Sequence, residues 1–165
     1  MRELGLDDWR IWRDLRLAAL AEAPRAFHSR LADWVGAGEQ DWRERLRAPG
    51  RHLVAELDGR PCGQVVAVPP DPDGVADLIS LWVAPHARGT GVADALISAV
   101  TGHAVGWGAH RLALHVVVGN ERAAALYRRH GFVDLGAVER PDGITEHRME
   151  IPLPARFTLP VPDGS

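Results

Sequence analysis

The sequence predicts a single α/β domain, and three features carry that prediction. Two β-rich runs flank Asp58-Gly59, a strand, glycine turn, helix and strand succeed one another from Ala76 to Val118, and a last strand pair surrounds Pro141-Asp142-Gly143. Strands and helices mixed in this way within 165 residues fit one layered domain large enough for its own core.

Taken in order, Asp7 or Asp8 can cap a helix running to about Ala21, whose Ile11, Trp12, Leu15, Ala18 and Ala19 share a face; Pro24 stops it. A second helical region covers Arg30 to Arg47, interrupted around Gly36 and Gly38. Arg51 to Leu57 and Gly63 to Val68 read as antiparallel strands around Asp58-Gly59, with Arg60-Pro61 lengthening the connection. Pro69 to Gly74 cannot continue a strand, so a loop leads into a third strand, Ala76 to Val83, which Pro85 ends.

From Val92 the residues Val92, Leu96, Ala99 and Val100 follow helical spacing until Gly102, Gly106 and Gly108. Arg111 to Val118 alternates as a strand with Leu112, Leu114, Val116 and Val118 on one face. Asn120 can cap the next helix, lined by Ala123, Leu126, Tyr127 and His130 and stopped by Gly131. Phe132 to Glu139 and Thr145 to Leu153 form the final strand pair, and the Pro-rich end from Pro154 to Ser165 lies over the surface or frays.

A formal charge of -3 gives no general basic footprint for nucleic acid, so any phosphate contact must be local. Cys62 is the single cysteine, which excludes an intramolecular disulfide and a cysteine-based zinc set; the eight histidines lack metal-site spacing, so no metal is expected. No apolar run approaches ~18 residues, and Met1-Arg2-Glu3 leads into a charged, Trp-rich segment instead of a signal peptide's apolar core. A cytoplasmic protein that avoids membranes is the expectation.

Arg88-Gly89-Thr90-Gly91-Val92-Ala93 is the main chemical signal, because it joins a strand to a helix N-terminus. Glycine lets the backbone turn tightly and approach a ligand, while the first-turn N–H groups lack partners and sit at the positive end of the helix dipole. Such a turn cradles an anion, with phosphate as the natural client. A dinucleotide fingerprint would need a third glycine where Asp94 stands and an acidic residue near Ala109 to Leu112; a Walker loop would need Gly-Lys before Ser or Thr. Both are absent here.

Val83 to Ala93 resembles the Arg/Gln-x-x-Gly-x-Gly/Ala motif of the GNAT N-acetyltransferases, and Asn120 to Phe132 resembles their second motif, with Asn, Leu-Tyr and Gly-Phe at matching spacing. The likeness runs from about Leu53 to Leu153, and the first fifty residues resemble the helical acceptor-side region of bacterial members more loosely. It implies one domain over 1–153: an acceptor-side part, 1–50, and an acyl-CoA-binding core, 51–153. It also implies a mixed, mainly antiparallel sheet of six to seven strands flanked by helices, with the third and fourth main strands splayed apart. Acetyl-CoA or CoA would lay its pyrophosphate on Arg88, Gly89, Thr90, Gly91, Val92 and Ala93, and its amide arm along Leu81, Trp82 and Val83, near Asn120. A homodimer is a further implication.

By the same resemblance Tyr127 is the general acid, a phenol directed at the departing sulfur; on helix position alone it reads as a packed aromatic. An attacking amine must first be neutral, which calls for a base or a water chain. Asp77 is the candidate, since strict alternation puts it on the face of Ile79, Leu81 and Val83, with Ser80 and Trp82 opposite; its plainer reading is a solvated carboxylate at a strand start. His115, His28 and Glu22 are other candidates.

Cys62 reads as a small core residue, and Trp9, Trp12, Trp34 and Trp42 as helix packing or the lining of an amine pocket. Arg10, Arg13 and Arg16 read as a solvated helix stripe, with the alternative that an arginine orients an acidic acceptor. The activity implied is acetyl transfer to a primary amine of a small molecule or peptide. The alternative is a non-catalytic acyl-CoA-binding regulatory module, which would keep the turn without needing Tyr127.

Overall fold

Asp58 and Gly59 both adopt positive φ, 51° and 74°, the backbone of a two-residue hairpin turn, so Leu57 pairs directly with Arg60. The connection is therefore not lengthened, as the sequence implied. Pro61 sits inside the strand opposite Glu56, and the extra residue, Cys62, is taken up by a bulge.

The computed structural model describes residues 1–155, and the part of the expected tail from residue 156 onward lies outside them. The chain runs β1 (Arg2–Glu3), α1 (Trp9–Glu22), α2 (Leu31–Trp34), α3 (Glu39–Arg47), β2 (Arg51–Leu57), β3 (Arg60–Val68), β4 (Val75–Val83), α4 (Val92–Gly106), β5 (Arg111–Val117), α5 (Glu121–Arg129), β6 (Val133–Glu139) and β7 (Thr145–Pro152). The strands form one sheet in the order β1-β2-β3-β4-β5-β7-β6, and only the β4–β5 pair is parallel. This is the mixed, mainly antiparallel sheet that was expected. The two-residue β1 was not foreseen, being too short to carry an alternating pattern.

One apolar cluster packs α4 and α5 on the sheet, and a second packs α1 to α3 against it through Trp9, Trp12 and Trp42. Cys62 is fully buried in the first, its thiol donating to the Ala55 carbonyl at 3.5 Å. Gly63 lets α4 approach closely, because a Cβ there would meet Val92 and Leu96 at 3.1 Å.

The splay has a visible cause. Parallel pairing of β4 with β5 covers only Val75, Ala76 and Asp77 against Arg111, Leu112 and Ala113. Beyond it, β4 bulges against β3, with Gln64 opposite Trp82 and Val66 opposite Ile79, so Val65 faces two residues, Ser80 and Leu81. Ser80 takes φ 60°, unusual for a side-chain-bearing residue, and its carbonyl accepts a 3.2 Å hydrogen bond from Gln64 Nε2. The bulge also reverses the face of every later residue. Ala76 and Leu78 pack with the α4 side, but so do Leu81 and Val83, while Trp82 joins the α1 side. Asp77 therefore does not share a face with Leu81 and Val83, as uninterrupted alternation required.

Candidate functional site

Two cavities meet at the splay. The larger, about 580 Å³, runs between the free edge of β4, the turn before α4 and the buried side of α5. Leu81, Trp82, Val83, Arg88, Gly89, Gly91, Ala93, Asn120 and Tyr127 all line it, so most of the residues singled out by sequence converge on one groove. Thr90 and Val92 do not: the Thr90 hydroxyl donates to the Ala87 carbonyl, and Val92 is buried in the core.

Gly91 is the N-cap of α4 at φ 86°, and Gly89 stands at φ 76°. At neither would a Cβ meet a protein atom within 4 Å, so the glycines serve the left-handed backbone and leave open space before the helix N-terminus. That arrangement fits a phosphate. Arg88 is already engaged, however: Nη2 donates to Glu22 Oε2 at 2.8 Å and Nε to the Val83 carbonyl at 3.1 Å. Glu22 also accepts from Trp82 Nε1 at 2.9 Å, and Arg88 and Trp82 together hold its carboxyl below the usual carboxylate range. An ionised carboxylate with two donors braces the groove better than it accepts protons.

Sequence reasoning missed two cations of the groove, Arg122 and Arg129 on α5. Arg129 and His130 each bind Asp94 Oδ1 at 2.7 Å, tying the first turn of α4 to the end of α5 and holding the Asp94 carboxyl below its ordinary value. Arg122 makes no ion pair among the described residues. The cluster of Arg122, Arg128 and Arg129 was the signal available.

Tyr127 and Asn120 stand where the cavities adjoin, lining both. Asn120 caps α5, its Oδ1 accepting from the Ala123 N–H at 3.2 Å. Tyr127 is 7% exposed, its ring 5.9 Å from Phe132 and tilted 66°, and burial pushes its hydroxyl well above the ordinary phenol range. It therefore keeps its proton at neutral pH, the state a general acid needs.

The smaller cavity, about 290 Å³, lies on the other side of the splay, against α1, the α1–α2 loop and β5. His28 and His115 face it, and His28 Nε2 stands 3.0 Å from Glu146 Oε1. Buried Arg140 organises this wall: it reaches Glu146 at 3.4 Å and Asp142 at 2.7 Å, and donates to the Phe27 carbonyl at 3.2 Å, pinning the loop. Arg16 and Arg45 also line this cavity.

Arg16 corrects the expected solvated stripe, being only 4% exposed. It stands four residues from Trp12 and from Leu20, on the buried face of α1, and that spacing could have revealed it. Arg10 and Arg13 instead lie over the Trp9 ring, at 4.6 and 5.3 Å from its centroid. Trp9, Trp12, Trp34 and Trp42 line neither cavity, and packing explains them. Asp77 lines neither cavity as well, because it sits at the paired end of β4, opposite Ala113. Burial raises its carboxyl above the ordinary value, with Arg148 and His115 opposing. Among the described residues no cluster of three metal-ligating side chains occurs, and no helix is long and apolar enough to cross a membrane.

A model of the Acetyltransferase (GNAT) family matches residues 9–132. Among solved structures, a ribosomal-protein-alanine N-acetyltransferase from Brucella melitensis superposes with a TM-score of 0.71 at 24% identity, covering 92% of this chain and 98% of that one. A phosphinothricin acetyltransferase from Sinorhizobium meliloti, in complex with AcCoA, gives 0.76 at 18% identity over 98% and 92% of the two chains. Nourseothricin acetyltransferase gives 0.60 at 32% identity over 65% and 67%. A search of curated protein sequences finds no significant match.

Proposed function

The chain belongs to the Acetyltransferase (GNAT) family, and from that premise we propose that it transfers acetyl from acetyl-CoA to a primary amine by direct attack in a ternary complex. The meeting of two cavities at Tyr127 carries this reading, one with an anion-cradling turn and the other walled by side chains. A regulatory module that only bound acyl-CoA would have no use for the second cavity.

Gly89 to Ala93 and the cations Arg88, Arg122 and Arg129 would hold the phosphates, and the free edge of β4 at Leu81 to Val83 the amide arm. The co-substrate supplies a thioester carbonyl open to an amine and a thiolate leaving group. Tyr127 holds a proton at its phenol oxygen for the departing sulfur. His28, hydrogen-bonded to Glu146, and His115 line the smaller cavity and would take the proton an amine loses, a role for which Asp77, lining neither cavity, is the weaker candidate.

The similar structures are named for a ribosomal-protein alanine, phosphinothricin and nourseothricin, so family likeness does not choose the acceptor. The co-substrate is tested by thermal shift. Acetyl-CoA and CoA should raise Tm more than ATP or NAD; ligand at 100 times Kd adds ~2.7 kcal/mol, and each kcal/mol moves Tm by roughly 2–4 °C at this size. No response to CoA removes the co-substrate assignment. A response without thiol release on any amine transfers the weight to the regulatory module.

A further inference from the structure

Arg16 is a cation that the fold buries without giving it an anion. Its side chain is 4% exposed, its Nη1 has no hydrogen-bond partner, and no carboxylate lies within ion-pair distance of it among the described residues. Its guanidinium stacks over Phe27, 4.7 Å from the ring centroid, which supplies cation–π contact but no charge. Arg45, half-buried on α3, is the second cation of the same wall, resting over Trp34 at 5.2 Å and without an ion pair among the described residues.

The surroundings make the positive charge stand out further. His52, 6% exposed against the Trp12 ring, is held neutral by burial and by the two arginines, its pKa pushed down to about 4. The same pair of effects lowers Arg16 to about 10, which leaves it charged at neutral pH. Glu146 is the one carboxylate on the cavity wall among the described residues, and His28 and Arg140 already occupy it. Burying an unpaired charge is costly, and arginines are rarely fully buried without a partner. Both arginines line the smaller cavity and neither lines the groove, so the missing anion is not a phosphate of the co-substrate.

We propose that the acceptor is a small amine that also carries a carboxylate, an amino acid in the chemical sense, with the carboxylate held by Arg16 and Arg45 and the amine directed toward Tyr127. A carboxylate matches the planar donor fork of a guanidinium. A cavity of about 290 Å³ suits a compact molecule. The excess of positive charge disfavours polyamines. This rests on the acetyltransferase reading: the amine nitrogen bonds to the acetyl carbon, the carbon–sulfur bond breaks, and the proton lost by the amine is balanced by one gained at sulfur.

The test pairs each common L-amino acid with its primary amide, and adds spermidine and short acidic peptides. Two readouts are taken on the full chain: thiol release with acetyl-CoA, and saturation-transfer NMR of the same amines with and without CoA. At least one acid should exceed its amide about tenfold in kcat/KM, the equivalent of ~1.4 kcal/mol. Arg45→Gln should raise KM for that acid about tenfold with kcat within a few-fold, and shift the KM of the amide far less. Arg16→Gln should do the same and Arg16→Lys less, with the CoA thermal shift as the check that each variant is folded.

Amides or spermidine serving as well as acids would overturn the inference, as would an acid KM indifferent to Arg45→Gln, or turnover confined to peptides. Failure of the acetyltransferase reading looks different. CoA would then give no shift and no amine would release thiol, while NMR binding of acids over amides, lost in Arg45→Gln, would still uphold the anion pocket.

Discussion

The two cavities that meet at Tyr127 are built by opposite means. The groove takes most of its wall from two short stretches, 81–94 and 120–129, and its recognition elements are mainly backbone, namely two glycines at positive φ, a helix N-terminus and an unpaired strand edge, with Arg88, Arg122 and Arg129 added from those same stretches. The smaller cavity gathers side chains from α1, the α1–α2 loop, α3, β4, β5 and β7, and its chemistry lies in Arg16, Arg45, His28, His115 and Glu146. Backbone recognition demands a local sequence pattern, because the turn cannot form without it. Side-chain recognition demands only that distant residues arrive together, which frees the acceptor to change while the groove stays the same.

The sharpest way to break this division is at the shared wall. Tyr127→Phe should slow turnover by about 10²–10⁴, the span of general acid–base catalysis, while CoA and acceptor affinities stay near the parent's. Single-turnover thiol release and thermal-shift titration separate the two effects, and an unimpaired variant would return Tyr127 to a packing role against Phe132. Gly91→Val comes next. A β-branched residue at φ 86° costs roughly 1–3 kcal/mol while the turn keeps this shape, so the free turn should relax away from it and binding must restore it, lowering CoA affinity by about 10- to 100-fold. Calorimetric titration of CoA against ligand-observed NMR of the acceptor tells whether the damage stops at the groove, as separate construction requires.

The same contrast governs what the sequence discloses. The Gly89 to Ala93 turn and the Asn120 to Phe132 run could be read directly, because each is one uninterrupted local motif whose parts touch one another. The hairpin at Asp58-Gly59 was legible for the same reason, although its bulge at Cys62 was not. Ser80 is the instructive failure. Nothing in Ile79-Ser80-Leu81 marks a bulge, since the left-handed serine is held by Gln64 from a neighbouring strand, yet that residue decides which side chains after it face which cavity. Arg16 was legible in principle through its four-residue spacing from Trp12 and Leu20, but its charge argued for solvent. Its pairing with Arg45 was not, because only the packing of α1 and α3 brings them to one wall.

Asp77 gives the smallest effect and a control from the paired end of β4. Because Asp77 sits at the paired end of β4, outside both cavities, Asp77→Asn should leave thiol release within about twofold of the parent, as for a substitution away from the site. Stability should move the other way, and with pH. Burial raises the Asp77 carboxyl, so the folded chain holds its proton at pH values where the unfolded chain has lost it. Stability then falls as pH rises from the ordinary carboxylate value, ~3.9, through the raised one, and stays level above it. The asparagine variant escapes that loss. Its Tm should exceed the parent's at neutral pH, by no more than the roughly 2–4 °C that 1 kcal/mol produces, because Arg148 and His115 already offset part of the burial; the gain should shrink toward zero below pH ~4. Thermal unfolding across that range measures it. A tenfold loss of turnover with normal CoA binding would place Asp77 in the proton path, and the paired end of β4 and β5 would then belong to the machinery that otherwise begins where that pairing stops.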